Sequence, residues 1–200
     1  MKNDKGKICL IVDPRPISSL TLSEIISELG VFDEILISED IYEAKEMLSK
    51  SGSRIDLLLI EVNLKSNSGF EILSSKSISD YSIKTIFLSE SYSNLYSCIS
   101  REIGANAYIS KFDKLVTIQR SISAVINDYT VFKSCKNPNL SKFKFTISEA
   151  IILHKLVYGS SINDISKSLN LSFNVVYNLK KKILGKFGES SLSSLIRNQS

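Results

Sequence analysis

The chain has 200 residues, 43% of them apolar, and a formal net charge of +4, enough to bury one sizeable core or two modest ones. No run approaches the length of an uncharged membrane span, and the opening MKNDKGKICLIVD turns acidic too soon for a signal peptide, so a cytoplasmic protein with no membrane partner is expected. One histidine, His154, and three scattered cysteines, Cys9, Cys98 and Cys135, argue against imidazole-dependent hydrolysis, a metal site and a disulfide framework. The cysteines are expected to be packing thiols, and His154 a partly buried helix residue.

Charge is divided unevenly. Residues 1–130 carry 14 Lys and Arg against 18 Asp and Glu, net −4, whereas residues 131–200 carry 11 against 3, net +8. This split predicts an acidic module joined to a basic one that meets a polyanion.

In chain order, residues 7–12, 34–38, 55–60, 84–88 and 107–109 are short apolar runs, predicting strands buried on both faces and therefore parallel. Helical periodicity occupies 17–29, 41–50, 69–77, 92–103 and 113–128 between them. The alternation predicts an α/β, doubly wound (βα)5 fold with a parallel five-stranded sheet and functional groups at the carboxyl ends of its strands. Residues 130–144 lose periodicity and hold Pro138 and four lysines, which predicts a linker between a first domain, 1–129, and a second, 145–200. That second domain shows four helical patterns, 146–157, 162–169, 172–187 and 189–196, separated by Gly159, Asn170 and Gly188. They predict a small all-α domain with helix–turn–helix spacing between the second and third helices, and Thr146 and Glu149 are spaced as a capping box.

The predicted strand ends gather Asp13-Pro14-Arg15-Pro16, Glu61, Ser89-Glu90 and, after the last strand, Lys111. The constellation resembles the CheY-like receiver domain of bacterial response regulators. In that family two acids after the first strand and an Asp after the third bind Mg²⁺, and that Asp accepts a phosphoryl group contacted by a Ser/Thr and a Lys. On this resemblance Asp13 matches the first acid, Ser89 the hydroxyl, Lys111 the lysine, Tyr108 the aromatic that moves when the family switches, and Gly69 the glycine eight residues after the acceptor. Glu61 stands at the acceptor position, Pro14 at the principal metal-binding acid, and Glu90 at the small residue after the hydroxyl. These departures predict a degenerate pocket without metal or phosphoryl transfer. Proline offers Mg²⁺ only a carbonyl, and the extra methylene of Glu61 pushes its carboxylate out by about 1.5 Å into the phosphoryl space. Glu61 is then either a mimic of the switched state, paired with Lys111, or a buried ion pair kept for structure.

Residues 145–195 are similar to the LuxR-type helix–turn–helix of the NarL/FixJ response-regulator group, with Gly159, Ile165, Leu169, Leu171, Ser172, Val176, Ile183 and Lys186 in register. Its third helix is predicted to pack through Val176, Leu179, Ile183 and Phe187. It then presents Asn174, Tyr177, Asn178 and Lys181, flanked by Lys180 and Lys182, to the major groove of double-stranded DNA. Basic residues at 142, 144, 155, 167 and 186 are candidates for phosphate contacts. Val175, Tyr177 and Leu179 depart from the family's usual Thr, Lys and His. The resemblance implies a transcription regulator working as a homodimer or as a heterodimer with another response regulator, and with no nucleophile–base pair, phosphate loop or metal cluster in the sequence neither an enzyme nor a cofactor is expected. It leaves open whether the chain grips DNA itself or modulates a partner that does.

Overall fold

The computed structural model describes residues 6–65, 67–90, 93–133 and 144–199. The first module runs β1 (Ile8–Val12), α1 (Pro16–Leu29), β2 (Glu34–Ser38), α2 (Ile41–Ser51) and β3 (Ile55–Glu61). A small hairpin follows, β4 (Asn63–Leu64) and β5 (Asn67–Ser68), and then a 3-10 segment, Gly69–Ser74. The module is completed by α3 (Lys76–Asp80), β6 (Lys84–Ser89), α4 (Ser93–Glu102), β7 (Ala107–Ser110) and α5 (Leu115–Ile126).

The main sheet has the order β2-β1-β3-β6-β7 with every pairing parallel. Both faces of β1, β3, β6 and β7 are covered, so their alternate residues enter two cores; the expected strand over 34–38 is instead an edge strand, β2, whose residues before Ser38 are exposed or only partly buried, because it has a neighbour on one side only. Cys9, Ile11, Leu57, Leu59, Ile86 and Leu88 meet α1 and α5 through Ile25, Ile26, Ile118 and Ile122. Ile8, Leu10, Leu58, Ile60 and Phe87 face the opposite way, toward Ala44, Leu48, Phe70 and Ile99. The chain leaves β1 toward β2 on one side and returns to β3 on the other, which makes the carboxyl ends of β1 and β3 the topological switch point where such sheets place their sites.

The helix expected over 69–77 is instead a six-residue 3-10 segment followed by the five-residue α3. Ser75, between them, is extended at φ −72°, ψ 127°. The run is serine-rich, and short hydroxyl side chains compete with the helix for its own backbone groups.

The second module consists of α6 (Ile147–Val157), α7 (Ile162–Leu169), α8 (Phe173–Phe187) and α9 (Leu192–Gln199). Each start has a physical cause. Thr146 and Glu149 form the capping box, Ser161 accepts from the Asp164 N–H, and Ser172 accepts from the Val175 N–H. Asn170 and Gly188 close α7 and α8 in the left-handed region, at φ 52° and 72°. The last helix begins later than the expected 189–196 because Ser191, whose hydroxyl accepts from the Ser194 N–H at 3.1 Å, takes the capping position.

α6 is buried from Glu149 through Val157. One side packs on α7, α8 and α9, and the other on β5 and the 3-10 segment of the first module. A helix apolar on nearly every face needs such enclosure. His154 is accordingly 3% exposed, beyond the partial burial expected, with its ring 6.3 Å from Phe70, 5.9 Å from Tyr96 and 4.7 Å from Tyr158.

The expected linker is partly docked. The Tyr108 N–H donates to the Val131 carbonyl at 3.0 Å and the Val131 N–H to Asn106 at 3.1 Å; residues 134–143, including Pro138, lie outside the described residues. Cys9 is a free buried thiol, but Cys98 is disulfide-bonded rather than the packing thiol expected; Cys135 is outside the described residues. Among the described residues no helix is long and apolar enough to cross a membrane.

Candidate functional site

Parallel packing brings the ends of β1, β3, β6 and β7 together, and with them Asp13, Glu61, Ser89 and Lys111. Asp13, Glu61 and Ser89 are each 1% exposed. Lys111 reaches both acids: its Nζ is 2.6 Å from Glu61 Oε2 and also bonds Asp13 Oδ2. The remaining Asp13 acceptors are filled by the Arg15 N–H at 3.1 Å and the Ser18 hydroxyl at 2.6 Å, while Glu61 Oε1 accepts from the Asn63 N–H at 3.0 Å.

The group that sequence reasoning missed is Arg15. Its guanidinium donates to Glu61 Oε2 at 2.5 Å, lies 3.5 Å from Asp13 Oδ1 and pairs with Glu90. The pocket is thus three carboxylates bound by two cations, one of them a planar fork suited to bridging carboxylates. The available signal was position: Arg15 follows Pro14 directly, in the loop where the other pocket acids converge. Burial pushes Glu61 above the ordinary carboxylate range, while Lys111, the Asn63 N–H and Arg15 pull it back toward ionisation.

Two further residues shape the site. Tyr108 is buried, and its hydroxyl hydrogen-bonds with Ser89; burial first, and the Glu61 charge second, raise its pKa. Gly69 is packed so closely beneath β3 that a Cβ there would stand 2.2 Å from the Glu61 carbonyl oxygen. Outside the buried pairs lies a cavity of about 330 Å³ lined by Pro14, Arg15, Glu61, Asn63, Ser89 and Glu90, and closed on one side by Tyr158 from the end of α6.

The donor set does not fit a divalent ion. Asp13 and Glu61 already accept from two cations and several N–H and O–H groups, Pro14 contributes no carboxylate, and Arg15 places positive charge where an octahedral oxygen shell is needed. Among the described residues no group of three or more His, Cys, Asp or Glu is arranged to hold a metal.

On α8, Val176, Ile183, Leu184 and Phe187 are buried and Leu179 is partly buried against the other helices. Asn174, Tyr177, Asn178, Lys181 and Lys182 are exposed, and Lys180 is partly so. Lys181 Nζ lies 5.0 Å from the Tyr177 ring centroid, and Lys182 reaches the buried Glu149 at 3.1 Å. Two lysines considered for phosphate contact are interior. Lys186 is 7% exposed, bonding Glu149 and the Lys144 carbonyl at 2.6 Å each, and Lys155 is 9% exposed near Glu71. A capping carboxylate inside α6 needs a cation, and Lys186 supplies it. Lys144 and Lys167 are on the surface, and Lys142 is outside the described residues.

No protein-family model matches the chain. The fimbriae Z protein of Escherichia coli K12 is 26% identical over 197 residues, spanning 94% of this chain and 93% of that protein. The DNA-binding transcriptional activator EvgA of the same organism is 22% identical over 202 residues, spanning 93% and 94%. Among solved structures, the two-component response regulator RcsB in complex with DNA superposes with a TM-score of 0.73 at 16% identity, covering 98% of this chain and 99% of that one. RcsB of Salmonella enterica serovar Typhimurium bound to promoter rprA gives 0.71 at 14% identity, covering 97% and 98%. Similarity therefore extends through both modules in the same order, and the chain has the fold of these regulators: a five-stranded parallel α/β module followed by a helical one.

Proposed function

We propose that the chain is a DNA-binding transcription regulator whose receiver works without phosphorylation. One observation carries the second half: the carboxylate at the acceptor position, Glu61, is sealed between Lys111 and Arg15, the latter tied in turn to Glu90. In-line phosphoryl transfer needs a free nucleophilic oxygen and a metal to neutralise the incoming phosphate. Here both are displaced by protein cations. The ion cluster holds Lys111 against the position an acceptor would occupy, and the buried Tyr108 is bonded to Ser89, so both groups are already engaged within the protein. Incubation with acetyl phosphate and Mg²⁺ followed by intact-mass measurement is expected to leave the mass unchanged. An adduct of about 80 Da that disappears in Glu61→Ala would overturn this half.

The first half rests on the exposed Asn, Tyr and Lys face of α8, on the net +8 of residues 131–200, and on the DNA-binding relative EvgA and the RcsB–DNA complexes. A gel-shift titration at several salt concentrations is expected to show sequence-specific binding that weakens as salt rises. An apolar strip on the first module, with Ile17 83% and Leu115 59% exposed beside Leu20 and Val116, favours association with a second receiver. If specific binding appears only when another regulator is added, the chain is an auxiliary partner rather than a self-sufficient regulator.

A further inference from the structure

The DNA-binding reading uses the polar residues of α8 and leaves its exposed apolar ones unassigned. Phe173, Val175 and Tyr177 are 49%, 42% and 40% exposed, all within the first five residues of the helix, the end that helix–turn–helix proteins direct at base edges. Phe173 and Tyr177, one turn apart, stack with ring centroids at 6.3 Å and planes within 9°. Lys181 lies over the outer face of that pair, and its cation–π contact steadies the Tyr177 ring. At helical spacing, Asn174 and Asn178 form the central exposed ridge, with the Phe173–Tyr177 stack along one flank and Val175 on the other. Aromatic and aliphatic side chains gain nothing from water, and three of them grouped at one helix end form an apolar patch of the kind that marks a contact surface.

In the major groove the apolar group on offer is the thymine 5-methyl, and the partner of thymine, adenine, is the base that an asparagine amide matches bidentately. Resting on the DNA-binding reading, we propose that α8 is a reader of A·T pairs from both sides. Asn174 and Asn178 hydrogen-bond adenine N6 and N7, while the Phe173–Tyr177 stack and Val175 pack on thymine methyl groups. Lys181, held over the Tyr177 ring, adds positive charge beside this reading face. The operator class is therefore A·T-rich at the contacted steps, with thymine recognised by its methyl group rather than its polar edge.

The test uses the full-length protein. A duplex pool with a randomised core is enriched for binding, and the enriched duplex is remade with uracil in place of thymine, which removes only the 5-methyl. Affinity is expected to fall by about 4-fold for each methyl in contact. Phe173→Ala and Tyr177→Ala should bind the thymine duplex more weakly and show a smaller thymine–uracil difference, whereas Tyr177→Phe should keep it whole. Circular dichroism confirms that these surface variants fold. Equal affinity for the thymine and uracil duplexes, or enriched cores that lack A·T at the protected positions, would overturn the inference while leaving DNA binding intact. Failure to enrich any sequence would overturn the DNA-binding reading itself, and this inference with it.

Discussion

Replacing Lys111 by methionine keeps the stem of the side chain and deletes its charge from beneath Asp13 and Glu61. Both acids are 1% exposed, and Lys111 itself is only 9% exposed, so water cannot take over the lost contact. Removing one partner from a buried ion cluster costs about 3–5 kcal/mol, most of it the desolvation of the charges left behind. Arg15 and the Asn63 N–H still serve Glu61, which places the expected loss near the lower end, about 3 kcal/mol. The loss should depend on pH with a definite sign. Burial already raises the Glu61 pKa and Lys111 opposes that rise, so deleting Lys111 raises it further. In the variant the folded state then takes up a proton at a pH where the unfolded chain does not, and the deficit relative to wild type narrows as pH falls. Urea unfolding of both proteins at matched pH between 7.5 and 5.5, followed by far-ultraviolet circular dichroism, reads this out. Comparison at equal pH cancels contributions common to the two chains. Glu61→Gln combined with Lys111→Met should recover part of the loss, because a neutral amide does not need the cation. A difference below about 1 kcal/mol, or one that does not change with pH, would refute the view that Lys111 neutralises a buried acid pair.

Burial, and secondarily Lys155, lowers the His154 pKa to about 3, so the wild-type chain should lose stability as pH falls from 6.5 toward 3, by up to about 1.4 kcal/mol per pH unit. His154→Leu should flatten that acid limb in pH-dependent urea titrations, and an unchanged limb would assign it elsewhere. Gly69→Ala drives a methyl into the Glu61 carbonyl and should cost about 1–3 kcal/mol in urea midpoint, with the pocket disturbed even though the charges are intact. Lys181→Ala should weaken specific DNA binding by about 1–3 kcal/mol if it reaches a base edge, or lower the salt slope by about one if it holds a phosphate; anisotropy titrations at several salt concentrations distinguish the two.

The sheet and most helices were legible because their signals are local. Continuous apolar runs such as LLLI and ICLIV have no solvent-facing register to confuse them, and Ser161, Ser172, Asn170 and Gly188 mark helix ends through their own backbone chemistry. The stretch after β5 failed because its serines divide the chain between a 3-10 turn and a short helix, a balance that spacing alone does not decide. In the pocket, Asp13, Glu61, Ser89 and Lys111 were each predicted at a strand end, and the fold brings them together. Arg15 was not anticipated because its partners lie 46 and 75 positions away, at Glu61 and Glu90, and nothing local directs a flexible guanidinium. Lys155 and Lys186 misled for the opposite reason. Charge counted along a sequence says nothing of whether a lysine is required indoors by an acid such as Glu149.

α6 has no face left over. Its Ile151, Leu153 and Leu156 belong to one continuous core with Phe70 and Tyr96 of the first module, and the residue just beyond its end, Tyr158, forms a wall of the cavity at the strand ends. The helical module and the sheet therefore share a keystone, since α6 packs on both. Through Tyr158 and α6 a single packed path runs from the cavity at the strand ends to α8, with no layer of solvent-exposed side chains on α6 between them.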